Sequence, residues 1–407
     1  MKKPMEGVKV LEVAQFTFAP AAGAVLADWG ADVVKVEHAE TGDAQRGLVK
    51  VLGQEAAAGG ARFFPIMEGP NRGKKSVGIA LEKPEGRDLL DELIRQSDVF
   101  IVNFLPRARK KLRLDLEDIR AINPDIIYVR ASGFGQRGPD RDSGGYDSSA
   151  FWARGGSAEA LMKADDTEVP MMPAGAYGDN VGGQTIAGGI AAALYGRATT
   201  GETSVVDVSL IGMAAWQMSF NINLAAVSGG PLPKTNSAAP SNPLTGVVRT
   251  SDDRYIMLTM LQPGRYWPEL MTNAGRPDLV EDPRFSSSEA ILENNAAAKA
   301  AIDELFATKT FAEWQEILRQ GNGQWAPVQD AWDLVNDPAV EANGVIVEVT
   351  DVDGNPQRLV ANPVQFDETP PQLVRAPLFA EHTDEIVTGL GIDEQRLMEL
   401  KIAGAIT

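Results

Sequence analysis

Residues 7–37 read GVKVLEVAQFTFAPAAGAVLADWGADVVKVE. Residues 7–13 are a short apolar run of strand type. Residues 20–30 carry proline at their start and glycine at their end, the usual asymmetry of a helix. Residues 32–37, DVVKVE, are a second strand-type run. A strand, a helix and a strand this close together form a βαβ unit, whose two strands lie parallel.

The pattern continues outward. Residues 76–81 read as a third strand. Residues 84–97, PEGRDLLDELIRQS, form an amphipathic helix with proline in the first turn. Residues 98–103 and 125–131 are further apolar strands. Such alternation predicts right-handed crossovers and a mostly parallel, Rossmann-like sheet. Ligands are expected beyond the carboxyl ends of its strands.

Residues 173–210 read PAGAYGDNVGGQTIAGGIAAALYGRATTGETSVVDVSL. Here a helix is predicted over 181–196, with Asp179 as its N-cap. A strand over 204–208 follows the turn Thr200-Gly201. The spacing then predicts one long helix over 211–227 and a linker rich in Gly, Pro, Ser and Asn over 228–243. Hairpins are expected over 244–260 and 344–361, helices over 289–307 and 311–319, and two helices over 382–390 and 393–402. The predicted fold class is α/β. Residues 1–224 form the first part of a large Rossmann-like domain, 225–330 a smaller α+β domain, and 331–407 a return segment completing the large domain.

Composition narrows the function. The chain has 407 residues, no Cys, two His and a net charge of −18. Disulfides, thiolate nucleophiles and Cys-based zinc sites are excluded. With only His38 and His382, no metal site is expected. Nucleic-acid and anionic-membrane partners are disfavoured by the charge. No apolar run approaches the ~20 residues of a membrane span, and the first residues do not make a signal-peptide core. A cytoplasmic location is expected. Gly133-Phe134-Gly135-Gln136-Arg137-Gly138 matches GxGxxG, but Pro139 and a polar run follow instead of an apolar helix. Neither a P-loop nor a GxSxG elbow occurs.

Basic residues gather near predicted strand ends: Lys35 with His38, then Arg72, Lys74 and Lys75, then Arg107, Arg109, Lys110, Lys111 and Arg113. Together they suit a multiply charged phosphate ligand. Residues 7–37 and 71–81, Asn103-Phe104, residues 132–139 (SGFGQRGP), Gly178-Asp179 and residues 381–385 (EHTDE) recur in this order in a known family. Through this set the whole chain resembles the family III CoA-transferases, whose fold is shared by the α-methylacyl-CoA racemases. The resemblance implies coenzyme A as a substrate, no permanently bound cofactor and an interlocked homodimer. It implies that Asp179 forms the acyl–enzyme. It also maps the CoA contacts onto His38, Lys74, Asn103, Phe104 and Lys111, with His38 standing where many members have Arg.

The residue chemistry is compatible. A carboxylate with an ordinary pKa near ~3.9 is ionised at neutral pH and attacks a thioester without a base. Backbone N–H groups around Gly178, Gly182 and Gly183 are candidate oxyanion donors. Gln15 and Phe16 are candidates for the same site or its acyl pocket, and Phe16, Phe18, Phe151 and Trp152 are either pocket lining or core. As a cap, Asp179 would lose only ~1 kcal/mol or less on replacement by Asn. The alternative activity is a 2-methylacyl-CoA racemase. Racemases of this fold use His in a Gly-His-Asp motif, where this chain has Gly145-Tyr146-Asp147. A tyrosine, with a pKa near ~10, is a poor proton shuttle at neutral pH.

Overall fold

The computed structural model describes residues 3–48, 50–51, 54–55, 62–164, 166–234 and 236–407. The chain opens with β1 (Lys9–Val13), α1 (Phe18–Asp28) and β2 (Asp32–Glu37), the βαβ unit that the sequence predicts. A short antiparallel pair, β3 (Lys50–Val51) and β4 (Gln54–Glu55), comes next, then α2 (Pro65–Asn71), β5 (Lys75–Gly78) and α3 (Pro84–Arg95). After these come β6 (Val99–Val102), α4 (Pro106–Leu112), α5 (Leu116–Ile122) and β7 (Ile127–Ser132). A π-helical segment (Asp147–Ala153), α6 (Ser157–Ala160), α7 (Tyr177–Thr200) and β8 (Val205–Ser209) complete this half.

Six strands form one sheet in the order β5-β2-β1-β6-β7-β8. Every pairing in it is parallel. The chain starts in the middle, runs to one edge, returns and runs to the other. This is the doubly wound order, with its reversal between β1 and β6. Alternate residues serve opposite faces. Val10, Val33, Ile101 and Val129 pack under α1 and α7. Leu11, Val36, Phe100 and Tyr128 pack on the other side, with Leu89 and Leu90 of α3. With both faces covered, a central strand is apolar throughout, as in the fully buried β6.

Helices α1 and α7 meet through small residues. A Cβ at Gly182 would lie 2.3 Å from the Phe18 ring, and one at Gly183 would lie 2.4 Å from Ala21 Cβ. Only glycine permits this approach.

The single helix expected over 211–227 is broken into α8 (Leu210–Gln217) and α9 (Ser219–Ser228), bent by 74°. The break is at Met218, whose ψ of 11° leaves the helical range. No glycine or proline between 213 and 227 marks it. Among the described residues no single helix is long and apolar enough to cross a membrane.

Two compact units result. One contains residues 1–161, 170–231 and 338–407, the other residues 162–169 and 232–337; the sequence reading sets the inner segment at 225–330. The second unit pairs β9 (Thr245–Arg249) with β10 (Tyr255–Thr259) as the expected hairpin. Its helices are α10 (Pro263–Asn273), α11 (Asp278–Glu281), α12 (Ser288–Glu293), α13 (Asn295–Phe306) and α14 (Phe311–Arg319). The helix predicted over 289–307 is thus interrupted at Asn294, whose side chain bonds to the Ala290 carbonyl at 2.9 Å. Strand β11 (Trp325–Pro327) adds to β10, and α15 (Ala331–Val335) ends the unit. Trp267, Phe306 and Trp314 are fully buried in its core.

The return segment carries α16 (Pro338–Ala342), the hairpin β12 (Ile346–Thr350) and β13 (Pro356–Val360), then α17 (Thr383–Gly389) and α18 (Glu394–Ile402). It is built into the first unit. The Asn362 amide donates to Asp28 at 2.9 Å and accepts from the Trp29 indole at 3.3 Å. Val387, Leu397, Leu400 and Ile406 join the core beneath α3.

Candidate active site

The loops after β1 and β6 leave the sheet at its reversal point, and they hold each other there. The backbone N–H of Gln15 donates to the Asn103 side chain at 3.1 Å, and the Asn103 amide donates to the Gln15 carbonyl at 2.7 Å. Next in the chain, Phe16 has φ 64°, a left-handed conformation rare for a bulky residue. Asp43 holds it, accepting the Phe16 N–H at 3.1 Å. Behind Asp43 the network is fully buried. Lys35 contacts Asp43 at 2.8 Å and Glu12 at 3.1 Å, and Glu12 is the β1 residue directly opposite Lys35 in the β1–β2 register. Burial alone would lower the Lys35 pKa, but the Glu12, Asp43 and Glu37 carboxylates hold it above its ordinary value.

Asp179 enters from α7. It is the third residue of that helix; the N-cap position belongs to Ala176, with φ 60°. The capping role assigned to Asp179 from sequence falls instead to Asp147, whose two carboxylate oxygens accept the Gly178 N–H at 3.1 Å each. Asp179 is left free of that duty. Its Oδ1 is buried with no hydrogen-bond partner. Burial, and secondarily the Asp147 carboxylate, raise its pKa from 3.8 to about 7. The expectation of an ordinary, fully ionised carboxylate is therefore corrected: near neutrality Asp179 is divided between acid and carboxylate. Asp147 is also raised, by burial, against the N–H bonds that favour its charge.

The glycines around Asp179 serve packing. The Gly178 N–H is occupied by Asp147, and a Cβ there would lie 2.5 Å from the Phe151 ring. Gly182 and Gly183 lie beyond the first turn of α7, where the helix ladder uses their N–H groups. As placed here, none of the three N–H groups is free to serve an oxyanion.

Two cavities open on Asp179. The first, about 340 Å³, reaches from Gln15, Asn103 and Phe104 past Arg109 and Arg141 to Asp147 and Asp179. The second, about 440 Å³, reaches Asp179 from Thr17, Gln45, Ile66 and Met172. Phe16 and Tyr146 line both, with rings edge to face at 5.5 Å. Phe18 lines the first cavity, while Phe151 and Trp152 belong to the core around α7 and line neither.

The predicted CoA contacts divide into three groups. Asn103 and Phe104 are at the first cavity. Lys111 lies on a separate cleft of about 290 Å³ with Glu82, Lys83, Arg87 and Arg113. His38 stands 3.6 Å from Glu82. Helix α4 joins the first two groups, with Pro106 and Arg109 at the cavity and Lys111 at the cleft. Lys74 is a correction. It is wholly buried against Glu12 at 2.6 Å and the Pro20 carbonyl at 2.8 Å, and burial lowers its pKa to about 8. In this arrangement it cannot reach a phosphate. Other members of the basic clusters are also engaged internally: Lys35 as above, Arg72 with Asp28 and Arg109 with Asp115. Among the described residues Lys111 and Arg113 have no carboxylate partner.

Sequence reasoning missed Glu12, Asp43 and the helix-capping role of Asp147. A signal existed for the first: Glu12 and Lys35 are opposite charges at matching places, the fourth residue of each of two strand-type runs. Among the described residues no group of three or more His, Asp and Glu is arranged to hold a metal ion.

A carboxylate with a buried, unpartnered oxygen where two cavities meet, beyond the switch point of a doubly wound sheet, suits an enzyme that brings two ligands to one reactive side chain. The family model for CoA-transferase family III matches residues 5–383, and the chain belongs to that family. It is 30% identical to (R)-2-hydroxy-4-methylpentanoate CoA-transferase of Clostridioides difficile, covering 98% of both chains. It is 31% identical to cinnamoyl-CoA:phenyllactate CoA-transferase of Clostridium sporogenes, covering 97% of this chain and 95% of that one. A CAIB/BAIF family protein from Brucella suis has the same fold, with a TM-score of 0.82 and 28% identity, covering 96% of this chain and all of the other.

Proposed function

We propose that this CoA-transferase moves coenzyme A from an acyl-CoA thioester to a free carboxylic acid through covalent intermediates on Asp179. The observation that carries the reading is the Asp179 carboxylate, with one oxygen unpartnered, at the meeting of two cavities. A carboxylate oxygen attacks the thioester carbonyl, and the C–S bond breaks. A mixed anhydride on Asp179 and free CoA thiolate result. The thiolate then attacks the Asp179 carbonyl and releases the first acid, leaving an aspartyl-CoA thioester. The second acid's carboxylate attacks that thioester, and the thiolate returns to the acyl carbon of the new anhydride. Every bond made is matched by one broken, so no hydrolysis is needed and water must be kept away.

In this reading CoA runs along α4, which joins the cleft holding Lys111 and Arg113 to the cavity holding Asn103 and Phe104: its phosphates would meet Lys111, Arg113 and His38, and its pantetheine arm would pass Asn103 and Phe104 toward Asp179. Incubation with acyl-CoA and then hydroxylamine tests the mechanism. A hydroxamate is expected on the peptide containing Asp179; its absence during active turnover would remove Asp179 as the nucleophile.

The racemase alternative is disfavoured by Tyr146, which occupies the place of the racemase histidine and is largely exposed. Negligible α-deuterium exchange is expected from a 2-methylacyl-CoA in deuterated water without an acid. Fast exchange would make the racemase reading primary.

The partner is inferred to be a second copy of this chain. Helix α9 buries none of its residues, and Phe220 and Val227, with Trp216 of α8, are more than three-quarters exposed. A soluble protein rarely leaves such a patch uncovered. Light scattering is expected to give a dimer, and Trp216→Glu with Phe220→Glu is expected to weaken it. A monomeric wild-type protein would refute the assignment.

A further inference from the structure

The two cavities that meet at Asp179 differ in charge. The one reached through Asn103 carries Arg109 and Arg141 in its wall. The one reached through Ile66 and Met172 has no Arg, Lys or His among its described lining residues. Its apolar wall includes Leu48, Pro65, Ile66, Pro70 and Met172. Of its polar groups, Thr17 donates to Gln45 at 3.0 Å, and the Gln45 amide is turned onto the Ile66 carbonyl. Among its described lining residues the ionisable groups are the Tyr146 phenol and the carboxyls of Asp147 and Asp179, both carboxyls with pKa values raised by burial.

We infer that the 440 Å³ cavity is the acid chamber, and that it selects apolar monocarboxylic acids over dicarboxylic acids. The inference rests on the transferase reading above. An acid entering this chamber places its single carboxyl at Asp179, where it is consumed in the reaction. Its side chain then faces Leu48, Ile66, Pro70 and Met172, and the volume is within the range of small-molecule pockets, ample for a branched or aromatic group. A second carboxylate at the far end would be stripped of water with no cation among the described lining residues to meet it. It would also face two carboxyls already resisting ionisation. Phe16 and Tyr146, edge to face between the chambers, keep the acid's side chain apart from the pantetheine arm.

The test compares matched acceptors on the full-length enzyme. With a butanoyl-CoA donor, kcat/KM is measured for 4-methylpentanoate, 3-phenylpropanoate, pentanedioate and hexanedioate. The apolar acids are expected to be favoured by more than ~100-fold, the scale of an unpaired buried charge. Ile66→Arg places a guanidinium in the chamber and is expected to raise the diacid-to-monoacid ratio at least tenfold. Lys50→Ala, which changes the one cationic residue in 49–61, is expected to leave the ratio unaltered. Diacids used as well as monoacids, with the Asp179 hydroxamate still formed, would overturn the chamber assignment and leave the transferase mechanism standing. Transfer to none of these acids together with no hydroxamate would overturn both.

Discussion

Asp179→Asn separates the energetic cost of this carboxylate from its chemistry. In the unfolded chain the group has its ordinary pKa of 3.8, and in the fold it is raised to about 7, burial being the larger cause and Asp147 the smaller. The folded protein therefore holds this proton more tightly than the unfolded chain. The contribution of Asp179 to stability falls as pH rises from about 4 to about 7, and its full penalty is present above. At ~1.36 kcal/mol per decade the interval is worth roughly 4 kcal/mol. Solvent in the two cavities screens part of it, so about 2–4 kcal/mol is the expected gain for the non-titrating amide at pH 8. The gain shrinks severalfold by pH 4.5. This reverses the expectation from sequence, where a lost capping charge would cost a little stability. Thermal melts of both proteins at pH 4.5, 6 and 8, with mass spectrometry to exclude deamidation, give the comparison. A variant less stable than wild type at pH 8, or a gap that ignores pH, would refute the argument.

The same group sets the expected pH dependence of the acylation half-reaction. Only the carboxylate attacks, so the rate measured with acyl-CoA alone should rise about tenfold per pH unit below about 7 and level off above it; a flat profile between pH 5 and 8 would contradict the raised pKa. Lys74→Met should lower stability by ~3–5 kcal/mol, because it strands part of the buried Glu12 charge. Lys111→Ala should leave the melt unchanged and weaken CoA binding severalfold with a flatter salt dependence, as titration calorimetry would show. Gly182→Ala should cost ~1–3 kcal/mol of stability, since its Cβ would overlap the Phe18 ring; an unaltered melting temperature would mean that α1 and α7 separate freely.

The sheet was legible because its strands are apolar on both faces and its helices carry their own start and stop residues. Residues 32–37 and 311–319 match their observed elements, since each is bounded by polar or turn residues on both sides. The break at Met218 was not legible, because nothing in local composition disfavours a continuous helix there. Asp179 was legible as a motif but not as an acid. Its pKa is raised by burial first and by Asp147 second, and the fold creates both, bringing Asp147 alongside from a separate segment. Lys74 shows the same limit from the other side. In the sequence it is one cation in a basic cluster; in the fold it answers Glu12, 62 residues earlier. Which charges remain for a ligand is decided by long-range pairing, and spacing along the chain does not report that.

The first unit is finished by its last residues. Ile406 bridges to Ile79, the Ala80 N–H donates to the Ala405 carbonyl at 2.9 Å, and the His382 N–H donates to the Ser76 carbonyl at 2.9 Å. During synthesis, the end of β5 and the apolar surface beneath α3 are therefore made long before the segment that seals them. At ~5–20 residues per second, the roughly 325 residues between Ala80 and Ala405 take the ribosome about 15–65 seconds. Once residue 337 has been made, the second unit, most of whose residues are contiguous, can close alone, while the doubly wound sheet waits open at one edge. Stalling near residue 370 should therefore yield a folded second unit attached to an aggregation-prone first one.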